Sequence, residues 1–457
     1  MARRLASGLE SHWPFALLLA AIVATRLWFT FTYPIVQISD YQAYYDEARG
    51  FAGLAPLRLT SLYAIGPKLF YSVFFRLFGD SLYVIGVVNA VTYAVAVCVL
   101  YAAALRIYGA RTAWLSTLVC FVSLSELYFN NLASTETLGT LFVNLIVLLL
   151  ALGRTSSRFL VGLGVVAGLA IYNRSNMLPI GALVFAWSWL QARDLQKSLA
   201  RAALVQGVAL VVCVPLASFN LSHFGRFTPL IANAATLWYG NNPSLSGDFH
   251  SYPPTPEMLP PGSVERRRLA EELRPIYVNP DPDMDFSKMG PYEVGDVRVR
   301  YALGWIMQNP WRYLDLVRAR FGLFFFSCTY GEAPYWKFYN PSDASQPRWA
   351  SGAKRLMRSA RLLVRRWYQV LIAGAAIGLI ATFVHSGPSR FLSSNPGLPF
   401  VFIAFYAAPF LLTIGANRYH IPILGLCWIY LAHGLDLLLR SASPLGRRAT
   451  TRSGGTS

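Results

Sequence analysis

The sequence is poor in charged residues. Only 14% of its 457 residues are Asp, Glu, Lys or Arg, whereas a typical soluble domain carries about a quarter. Hydrophobic residues make up 55% of the chain, and the mean hydropathy is +0.41. Several apolar runs approach the length that a bilayer core requires. The composition therefore argues against an ordinary soluble enzyme and indicates a multi-pass membrane protein.

Acidic residues are scarcer than basic ones. The chain has 22 Asp and Glu against 40 Lys and Arg, which gives a formal net charge of +18. In a soluble protein this balance would suggest a nucleic-acid partner, but no nucleic-acid-binding motif accompanies the charge. Lys and Arg accumulate in the cytoplasmic loops and tails of membrane proteins and favour anionic headgroups. We therefore expect the lipid bilayer, and not nucleic acid, to be the partner of this charge.

Cysteine is also scarce. The chain has five cysteines and no Cys-x-x-Cys pair, so no disulfide framework and no cysteine metal site is indicated. His420 has the side chain of a metal ligand, but no second ligand stands at a recognisable spacing from it. The sequence thus indicates neither a metal site nor a cofactor.

Ten apolar runs predict an all-α polytopic membrane protein with about ten transmembrane helices. The first run is too long for the apolar part of a signal peptide and ends without a small-residue cleavage site, so we expect it to remain as a span. The predicted spans are Pro14–Tyr33, Leu82–Arg106, Thr112–Phe129, Glu136–Leu152, Phe159–Tyr172, Met177–Leu190, Ala202–Phe219, Trp367–Val384, Pro399–Ile414 and Ile421–Leu439.

Basic residues in alternate turns predict the orientation. The N-terminus, the turns "RIYGAR", "GRTSSR" and "QARDLQKSLAR", and the C-terminal tail are all basic, and the positive-inside rule places them in the cytoplasm. The opposite loops are then exterior. These loops are Pro34–Ser81, Asn130–Thr135, Asn173–Asn176, Leu221–Arg366 and Gly415–His420.

This pattern divides the chain into four regions. Residues 1–220 form an N-terminal transmembrane region that contains the first exterior loop (34–81). Residues 221–366 form an exterior region with interfacial helices, 367–440 carry the last spans, and 441–457 form a flexible basic cytoplasmic tail.

Two stretches of the exterior region need comment. "KRLMRSARLLVRR" (354–366) is too basic for an exterior segment, and its side of the membrane stays open. An extra span at Trp311–Phe326 would move it to the cytoplasm, but that stretch holds four charged residues. We expect it to be an amphipathic interfacial helix that starts at Asn309-Pro310. Further helices are predicted for "SVERRRLAEELRP", with Ser263 as N-cap, and for "GDVRVRYALGWIMQ".

Ionisable residues concentrate in the exterior loops, while the predicted centre of the bundle is nearly free of charge. Such a site suits a substrate with a lipid tail in the bilayer and a polar head above it. A carboxylate can accept the proton of an attacking hydroxyl, and an arginine can hold a phosphate. A sugar carried on a polyprenyl phosphate meets both conditions. The residues concerned are Asp40, Asp46, Glu47, Glu136, Arg174, Arg418 and His420.

The ordered set of loop motifs resembles the GT-C membrane glycosyltransferases, which include protein O-mannosyltransferases, the aminoarabinose transferases of lipid A and RgtA-like bacterial enzymes. The resemblance covers most of the chain, and each motif alone is weak. The motifs are "SDYQAYYDEARGF", "STETLGTLF", "YNRSNMLPI", "GNNPSLSG", "NPWRYLDLVRARFGLFF" and "NRYHIPIL".

The resemblance implies a GT-C bundle and inverting transfer from a polyprenyl-phosphate sugar, with Asp40 at the family's catalytic position. Many relatives carry paired acids there, whereas Tyr41 follows Asp40 here, so Glu136 is the candidate second carboxylate. Arg418 is the expected phosphate clamp, with Arg174 next. The implied acceptor is an envelope lipid, glycan or protein, no cofactor is needed, and the site would face the periplasm from a bacterial inner membrane.

Simpler roles remain for each of these residues. Asp40 could be the N-cap of the helix that follows it, and Glu136 a helix-terminal acid favoured by the macrodipole. Asp46 and Glu47 fit a solvated helix face. Arg174, Arg418, Arg318 and Arg320 could reach lipid headgroups. Tyr44 and Tyr45 could stack on a sugar or belong to an interfacial aromatic belt. Asn241 and Asn242 lie in a turn sequence and become acceptor-loop candidates only through the resemblance.

Two rival functions follow from the same features. A polymerase or ligase that uses polyprenyl-diphosphate glycans would share this architecture. A lipid-linked sugar transporter or flippase would show internal repeats, broken helices and charges at the bilayer midplane. No internal repeat is apparent in the sequence.

Overall fold

The computed structural model describes residues 2–34, 37–60, 63–231, 235–242, 245, 262–273, 289–328, 349–414 and 418–442. These residues form α-helices and short 3₁₀ turns, and none of them lies in a β-strand. Residues 246–261 and 274–288 of the exterior region and almost all of the predicted tail lie outside the described residues. The all-α prediction is confirmed.

Among the described residues, six helices are long and apolar enough to cross a bilayer. They are α1 (Ala2–Thr32), α4 (Leu82–Tyr108), α9 (Leu195–Phe224), α14 (Trp349–Ser386), α16 (Leu398–Leu412) and α17 (Leu424–Ala442). A one-turn 3₁₀ helix precedes α16 at Asn395–Gly397, and another precedes α17 at Ile421–Ile423.

The other four predicted spans coincide with shorter helices. α5 (Ala110–Val122) continues into a 3₁₀ helix, Leu124–Asn131, after a bend of 61°. α6 (Glu136–Leu152), α7 (Ser157–Asn173) and α8 (Ile180–Ala192) are apolar but only 17, 17 and 13 residues long. In the described part of the chain, six helices therefore reach span length, or seven if the bent pair counts as one span.

The bundle is built from close helix pairs. α4 packs against α6, α7 and α8 pack against α9, and α14 packs against α17. Two glycines on α7 allow α9 to approach. A Cβ on Gly164 would lie 2.7 Å from Val208, and one on Gly168 would lie 2.6 Å from Val212. Small residues that let helix backbones approach closely are the usual solution for packing within a membrane.

Two short helices follow the first span. α2 (Asp40–Ala52) and α3 (Ile65–Phe78) pack together through Tyr44 and Ala48 on one side and Tyr71 and Phe75 on the other. α2 ends at Gly53, which adopts the left-handed conformation with φ 77°. This conformation suits a glycine at the end of a helix. The pair lies where the sequence predicts the first exterior loop.

The region between α9 and α14 contains α10 (Ala235–Gly240), α11 (Val264–Leu273), α12 (Pro291–Gln308) and α13 (Pro310–Phe326). The predicted helices are confirmed, and the Ser263 hydroxyl oxygen accepts a bond from the Arg266 N–H at 3.1 Å as an N-cap should. Buried apolar side chains on α10, α12 and α13 join these helices into a second core. They are Trp238, Val297, Tyr301, Ala302, Trp305 and Leu316.

Two details of the exterior region differ from expectation. Arg320 does not face headgroups: its side chain is buried, and its guanidinium donates to the carbonyl oxygens of Gly240 and Leu411 and to the Asn241 side chain. The basic stretch 354–366 is not a separate element, because it is continuous with the span in α14. The expected boundary at 366–367 thus lies inside one helix. α15 (Pro388–Ser393) then leads to α16.

Candidate functional site

Four ionisable side chains from distant parts of the sequence meet in the structure. We call Asp40, Glu136, Arg174 and Arg418 the charge cluster. Arg418 donates to the Asp40 carboxylate through Nη2, and its Nε lies 4.0 Å from Oε1 of Glu136. Arg174 Nη2 lies 2.9 Å from the same Glu136 oxygen. Acidic and basic groups therefore alternate through the cluster.

Helix ends position all four residues. Asp40 is the first residue of α2, and Glu136 is the first residue of α6. Arg174 directly follows α7, and Arg418 precedes the 3₁₀ turn that leads into α17. Helix ends bring polar groups to the rim of an apolar bundle without placing charge at its centre, which explains how short loops can build one site.

Asp40 does not cap α2, and its carboxylate is instead held by neighbouring side chains. The N-cap position belongs to Ser39, which adopts φ 55° and makes no side-chain capping bond. Oδ1 of Asp40 accepts hydrogen bonds from the Tyr63 hydroxyl at 3.1 Å and from the Ser39 hydroxyl at 3.4 Å. Burial by itself would raise the pKa of Asp40. The charge of Arg418 and the hydrogen bonds outweigh burial, so the pKa lies below its ordinary value.

Glu136 and Arg174 form a deeply buried ion pair. Their side chains are 2% and 7% exposed, which is incompatible with a headgroup contact for Arg174. The guanidinium of Arg174 lies 5.6 Å from the Tyr419 ring and 6.0 Å from the Phe410 ring. Charges removed from water in this way must be paired, because an unpaired buried charge costs several kcal/mol.

Arg418 is more accessible than Arg174. Its side chain is 13% exposed and that of Asp40 is 19% exposed. The guanidinium of Arg418 lies 5.9 Å from the Tyr41 ring and 5.3 Å from the Tyr419 ring. Tyr419 therefore lies beside both arginines of the cluster. An aromatic face attracts a guanidinium placed over it.

The two candidate tyrosines of α2 have different surroundings. Tyr44 is buried, and its ring lies 5.6 Å from that of Tyr63 beside the cluster. Tyr45 points elsewhere, because its hydroxyl donates to the Asp80 carbonyl at 2.6 Å and its ring lies 5.6 Å from Phe75. Only Tyr44 is brought to the charge cluster.

The remaining candidates lie in packed positions away from the cluster contacts. The amide of Asn241 donates to the Leu412 carbonyl at 3.3 Å, and the amide of Asn242 donates to the Trp238 carbonyl at 3.0 Å. Both side chains are fully buried. Asn241 thus joins the end of α10 to the end of α16, whereas Asn242 bonds back to α10 itself.

His420 is buried between aromatic rings. Its ring stacks on Tyr368 at 5.4 Å and meets Phe324 edge-on at 5.9 Å. Burial lowers the pKa of His420 to about 3, so the imidazole is neutral at pH 7. The side chain packs in the core, next to the loop that carries Arg418.

The expectation for Glu47 is wrong, whereas Asp46 is exposed as expected. Glu47 is buried and pairs with Lys68 at 2.8 Å, and the Thr60 hydroxyl donates to its other oxygen at 3.0 Å. Sequence reasoning missed Lys68, Thr60 and Tyr63. For Glu47 the sequence did carry a signal of burial: it lies seven residues after Asp40, and residues two turns apart share one face of a helix.

The interior of the bundle is less apolar than the sequence suggests. Arg26 and Glu126 are buried at 4% and 3% exposure. The Arg26 guanidinium donates to the Asn130 side chain at 3.4 Å and lies 3.3 Å from the Tyr93 ring, and the Trp428 indole donates to Glu126 at 3.3 Å. This interior network corrects the expectation of a nearly charge-free centre.

The described residues contain no group of three His, Cys, Asp or Glu side chains arranged to hold a metal ion. Both carboxylates of the charge cluster face arginines instead. The donors present at the cluster suit an anion better than a cation.

Comparison with known proteins identifies the fold. The family profile described as dolichyl-phosphate-mannose-protein mannosyltransferase matches residues 64–219. The archaeal oligosaccharyltransferase AglB of Archaeoglobus fulgidus superimposes with a TM-score of 0.51 at 15% identity in a structure with an inhibitory peptide and dolichol-phosphate. Its apo form gives a TM-score of 0.53 at 14% identity. No curated protein sequence matches the chain.

The superposition with AglB covers 98% of this chain but 53% of the neighbour, so the chain spans about half the length of that protein. ArnT of Cupriavidus metallidurans, solved with undecaprenyl phosphate, matches at 18% identity over 92% of this chain and 77% of ArnT, with a TM-score of 0.42. That weaker superposition carries no argument. The profile match and the AglB fold confirm the predicted resemblance to the GT-C superfamily, and the protein is an integral membrane protein with this all-α fold.

Proposed function

We propose that the protein is an inverting glycosyltransferase that moves a sugar from a polyprenyl-phosphate donor to a hydroxyl-bearing envelope lipid, glycan or protein. The observation that carries the proposal is the charge cluster. Four helix ends from separate parts of the chain place a carboxylate, Asp40, in contact with an arginine, Arg418, at a partly open position. A base beside an anion-binding group is what transfer from a sugar phosphate requires.

The proposed reaction is a direct displacement at the anomeric carbon of the sugar. The acceptor oxygen attacks the anomeric carbon from the face opposite the phosphate, and its proton passes to the Asp40 carboxylate. The bond between the anomeric carbon and the phosphate oxygen breaks, and polyprenyl phosphate leaves with the bonding pair. Attack from the opposite face inverts the configuration. The Asp40 carboxylate is ionised at neutral pH, since its pKa lies below the ordinary value, and it is therefore free of a proton when the acceptor binds.

Arg418 would bind the departing phosphate. A guanidinium carries five N–H donors in a planar fork, so it can contact a phosphate and a carboxylate together. Glu136 would hold Arg418 in place from 4.0 Å and keep Arg174 paired. Arg174 is the more buried of the two arginines and contributes positive potential to the phosphate site. The Tyr44 ring lies 5.6 Å from the Tyr63 ring, beside the cluster.

The site would face the periplasm from a bacterial inner membrane. Support comes from the basic turns "RIYGAR" and "GRTSSR", which the positive-inside rule places in the cytoplasm, opposite the ends that carry the cluster. Cysteine labelling beside Asp40 and Arg418 in intact cells checks this orientation. Labelling of either position from the cytoplasm alone would contradict it.

The test of the function is Asp40→Asn, assayed in single turnover. The purified chain is incubated with polyprenyl-phosphate hexoses and pentoses that carry a labelled sugar, and transfer and release of polyprenyl phosphate are measured. Asn keeps the size of Asp but does not accept the proton at neutral pH. We expect donor binding near the parental value and transfer reduced by roughly a hundredfold to ten-thousandfold, the range for a lost general base.

The matched control is Asp46→Asn on the same helix. Asp46 is exposed and accepts a bond from the Gln42 amide at 2.7 Å, away from the cluster. We expect its transfer rate to equal that of the parent. Transfer within about threefold of the parent in Asp40→Asn would remove Asp40 as the base, since this lies far below the range for general-base loss. No transfer from these monophosphate donors, together with transfer and diphosphate release from a polyprenyl-diphosphate glycan, would favour a polymerase or ligase.

A further inference from the structure

The buried ion pair of Glu47 and Lys68 has no part in the reaction described above. The side chains of Glu47 and Lys68 are 4% and 2% exposed, and their charged atoms lie 2.8 Å apart. Glu47 is on α2 and Lys68 is on α3, so the pair joins the two helices after the first span. Replacing a buried ion pair by apolar residues is often neutral or stabilising, so stability by itself is a weak reason for this one.

The pair also binds the connection between α2 and α3. The Thr60 hydroxyl donates to Oε1 of Glu47 at 3.0 Å, and Nζ of Lys68 donates to the Thr60 carbonyl at 3.4 Å. Thr60 is itself exposed, and a cavity of about 20 Å³ separates this point from α7 and α9. Apolar packing therefore contributes little to the position of Thr60, and these polar contacts hold it.

Tyr63 follows Thr60 by three residues and reaches the charge cluster. Its hydroxyl donates to Oδ1 of Asp40 at 3.1 Å, while Arg418 donates to Oδ2. Each oxygen of the carboxylate is thus held by a different donor, which fixes the rotation of the carboxyl group. A base held in one orientation stays within reach of the proton that it must accept.

We propose that Tyr63 is a positioning residue for Asp40, and that the Glu47–Lys68 pair acts as a latch that keeps Tyr63 in place by holding Thr60. The proposal rests on the proposed role of Asp40 as the base. Glu47 on α2 and Lys68 on α3 would therefore affect transfer indirectly, through Tyr63. Tyr63 also contributes to the lowered pKa of Asp40, because a hydrogen bond to a carboxylate favours its charged form.

Several groups surround Asp40 and enter any pH dependence. Ser39 and Tyr63 face Oδ1, and Arg418 faces Oδ2. Three further groups lie close enough to influence Asp40. They are Tyr44 on α2, Glu136 on α6 and Arg174 after α7.

The experiment compares the pH dependence of transfer in Tyr63→Phe and the parent, using a polyprenyl-phosphate sugar that the parent turns over. Loss of the hydroxyl removes a donor from the carboxylate, so the pKa of Asp40 rises. We expect the acidic limb of kcat/KM to move to higher pH by about 0.5 to 1 unit. The plateau of kcat should fall roughly tenfold because the base is less well oriented, with KM for the donor unchanged.

Two further variants test the latch. Thr60→Val removes the hydroxyl but keeps the Glu47–Lys68 pair, so the chain is not left with an unpaired buried charge. We expect a shift of the acidic limb in the same direction as Tyr63→Phe, and smaller. Tyr292→Phe is the control, because its hydroxyl donates to the Leu230 carbonyl at 2.7 Å, outside the cluster. Its pH profile should equal that of the parent.

A double-mutant cycle separates this proposal from the proposed function. Thermal unfolding is measured at pH 7 and pH 4 for Tyr63→Phe, Asp40→Asn and the double variant, and needs no substrate. Coupling between the two sites supports the positioning contact. An acidic limb at the parental pH in Tyr63→Phe, or a raised donor KM with an unmoved limb, would overturn the proposal. Normal transfer in Asp40→Asn would instead overturn the function.

Discussion

The charge cluster contains two ion pairs, Asp40–Arg418 and Glu136–Arg174, which differ in how exposed they are. Asp40 and Arg418 are 19% and 13% exposed, whereas Glu136 and Arg174 are 2% and 7% exposed. A pair that remains in contact with the surroundings can exchange partners with a substrate. A fully buried pair cannot do so without leaving a charge uncompensated. The difference separates the groups that would meet the substrate from those that hold them.

The largest effect should come from breaking the buried pair. Arg174→Met leaves the Glu136 carboxylate buried without its 2.9 Å partner. We expect a loss of about 3–5 kcal/mol in the free energy of unfolding, the range for removing one member of a buried pair. Denaturant unfolding in detergent measures it.

The double variant Glu136→Gln/Arg174→Met serves as the control for that experiment. It removes both charges, so most of the lost stability should return. Equal stability of Arg174→Met and the parent would show that the buried pair contributes nothing to the fold, and the contrast with Asp40 and Arg418 would lose its basis.

A smaller effect is expected at the more exposed pair, Asp40–Arg418, where a substitution should weaken donor binding and leave the fold intact. Arg418→Lys keeps the charge but loses the planar fork that binds phosphate through two N–H donors. We expect KM for the polyprenyl-phosphate donor to rise about tenfold, with the melting temperature close to that of the parent. Steady-state kinetics at varied donor concentration tests this. An unchanged donor KM in Arg418→Ala would exclude Arg418 as the phosphate contact.

The smallest effect concerns acid stability. The pKa of Asp40 is lowered in the folded protein, so Asp40 stabilises the fold above its unfolded pKa of about 3.9. This contribution is lost as the pH falls through the lower folded value. For a partly exposed pair we expect on the order of 1 kcal/mol. Between pH 5 and pH 3 the parent should therefore lose more stability than Asp40→Asn does.

Thermal unfolding at pH 7, 5 and 3 measures the difference. Identical pH dependence in the parent and in Asp40→Asn would mean that the Arg418 contact does not stabilise the folded state.

The positions of the spans could be read from the sequence, whereas the contacts at their ends could not. All ten apolar windows coincide with helices, because a long apolar run has few alternatives to a helix in a membrane. Three of these helices, α6, α7 and α8, have 17 residues or fewer. At the end of α7 the Asn173 amide donates to the Thr135 carbonyl, just before α6, at 3.0 Å, and such contacts leave no local pattern.

The structure places the candidate residues in different surroundings. Asp40, Glu136, Arg174 and Arg418 became candidates because loops between apolar runs rarely need charge, and the structure brings all four together. Tyr45, Asn241, Asn242 and His420 are polar or aromatic residues in the same loops, but the structure uses them in packing. The type of a residue does not say which side of its helix faces the site.

By itself the sequence determined an all-α membrane protein and the loops in which its ionisable residues lie, since hydropathy and charge act along the chain. Tertiary structure decided which charges are partners. Asp40 meets Arg418 across 378 positions of sequence, and Glu47 turns inward to Lys68 instead of outward to solvent. Burial and pairing depend on which helix ends meet, and that is settled only when the whole bundle packs.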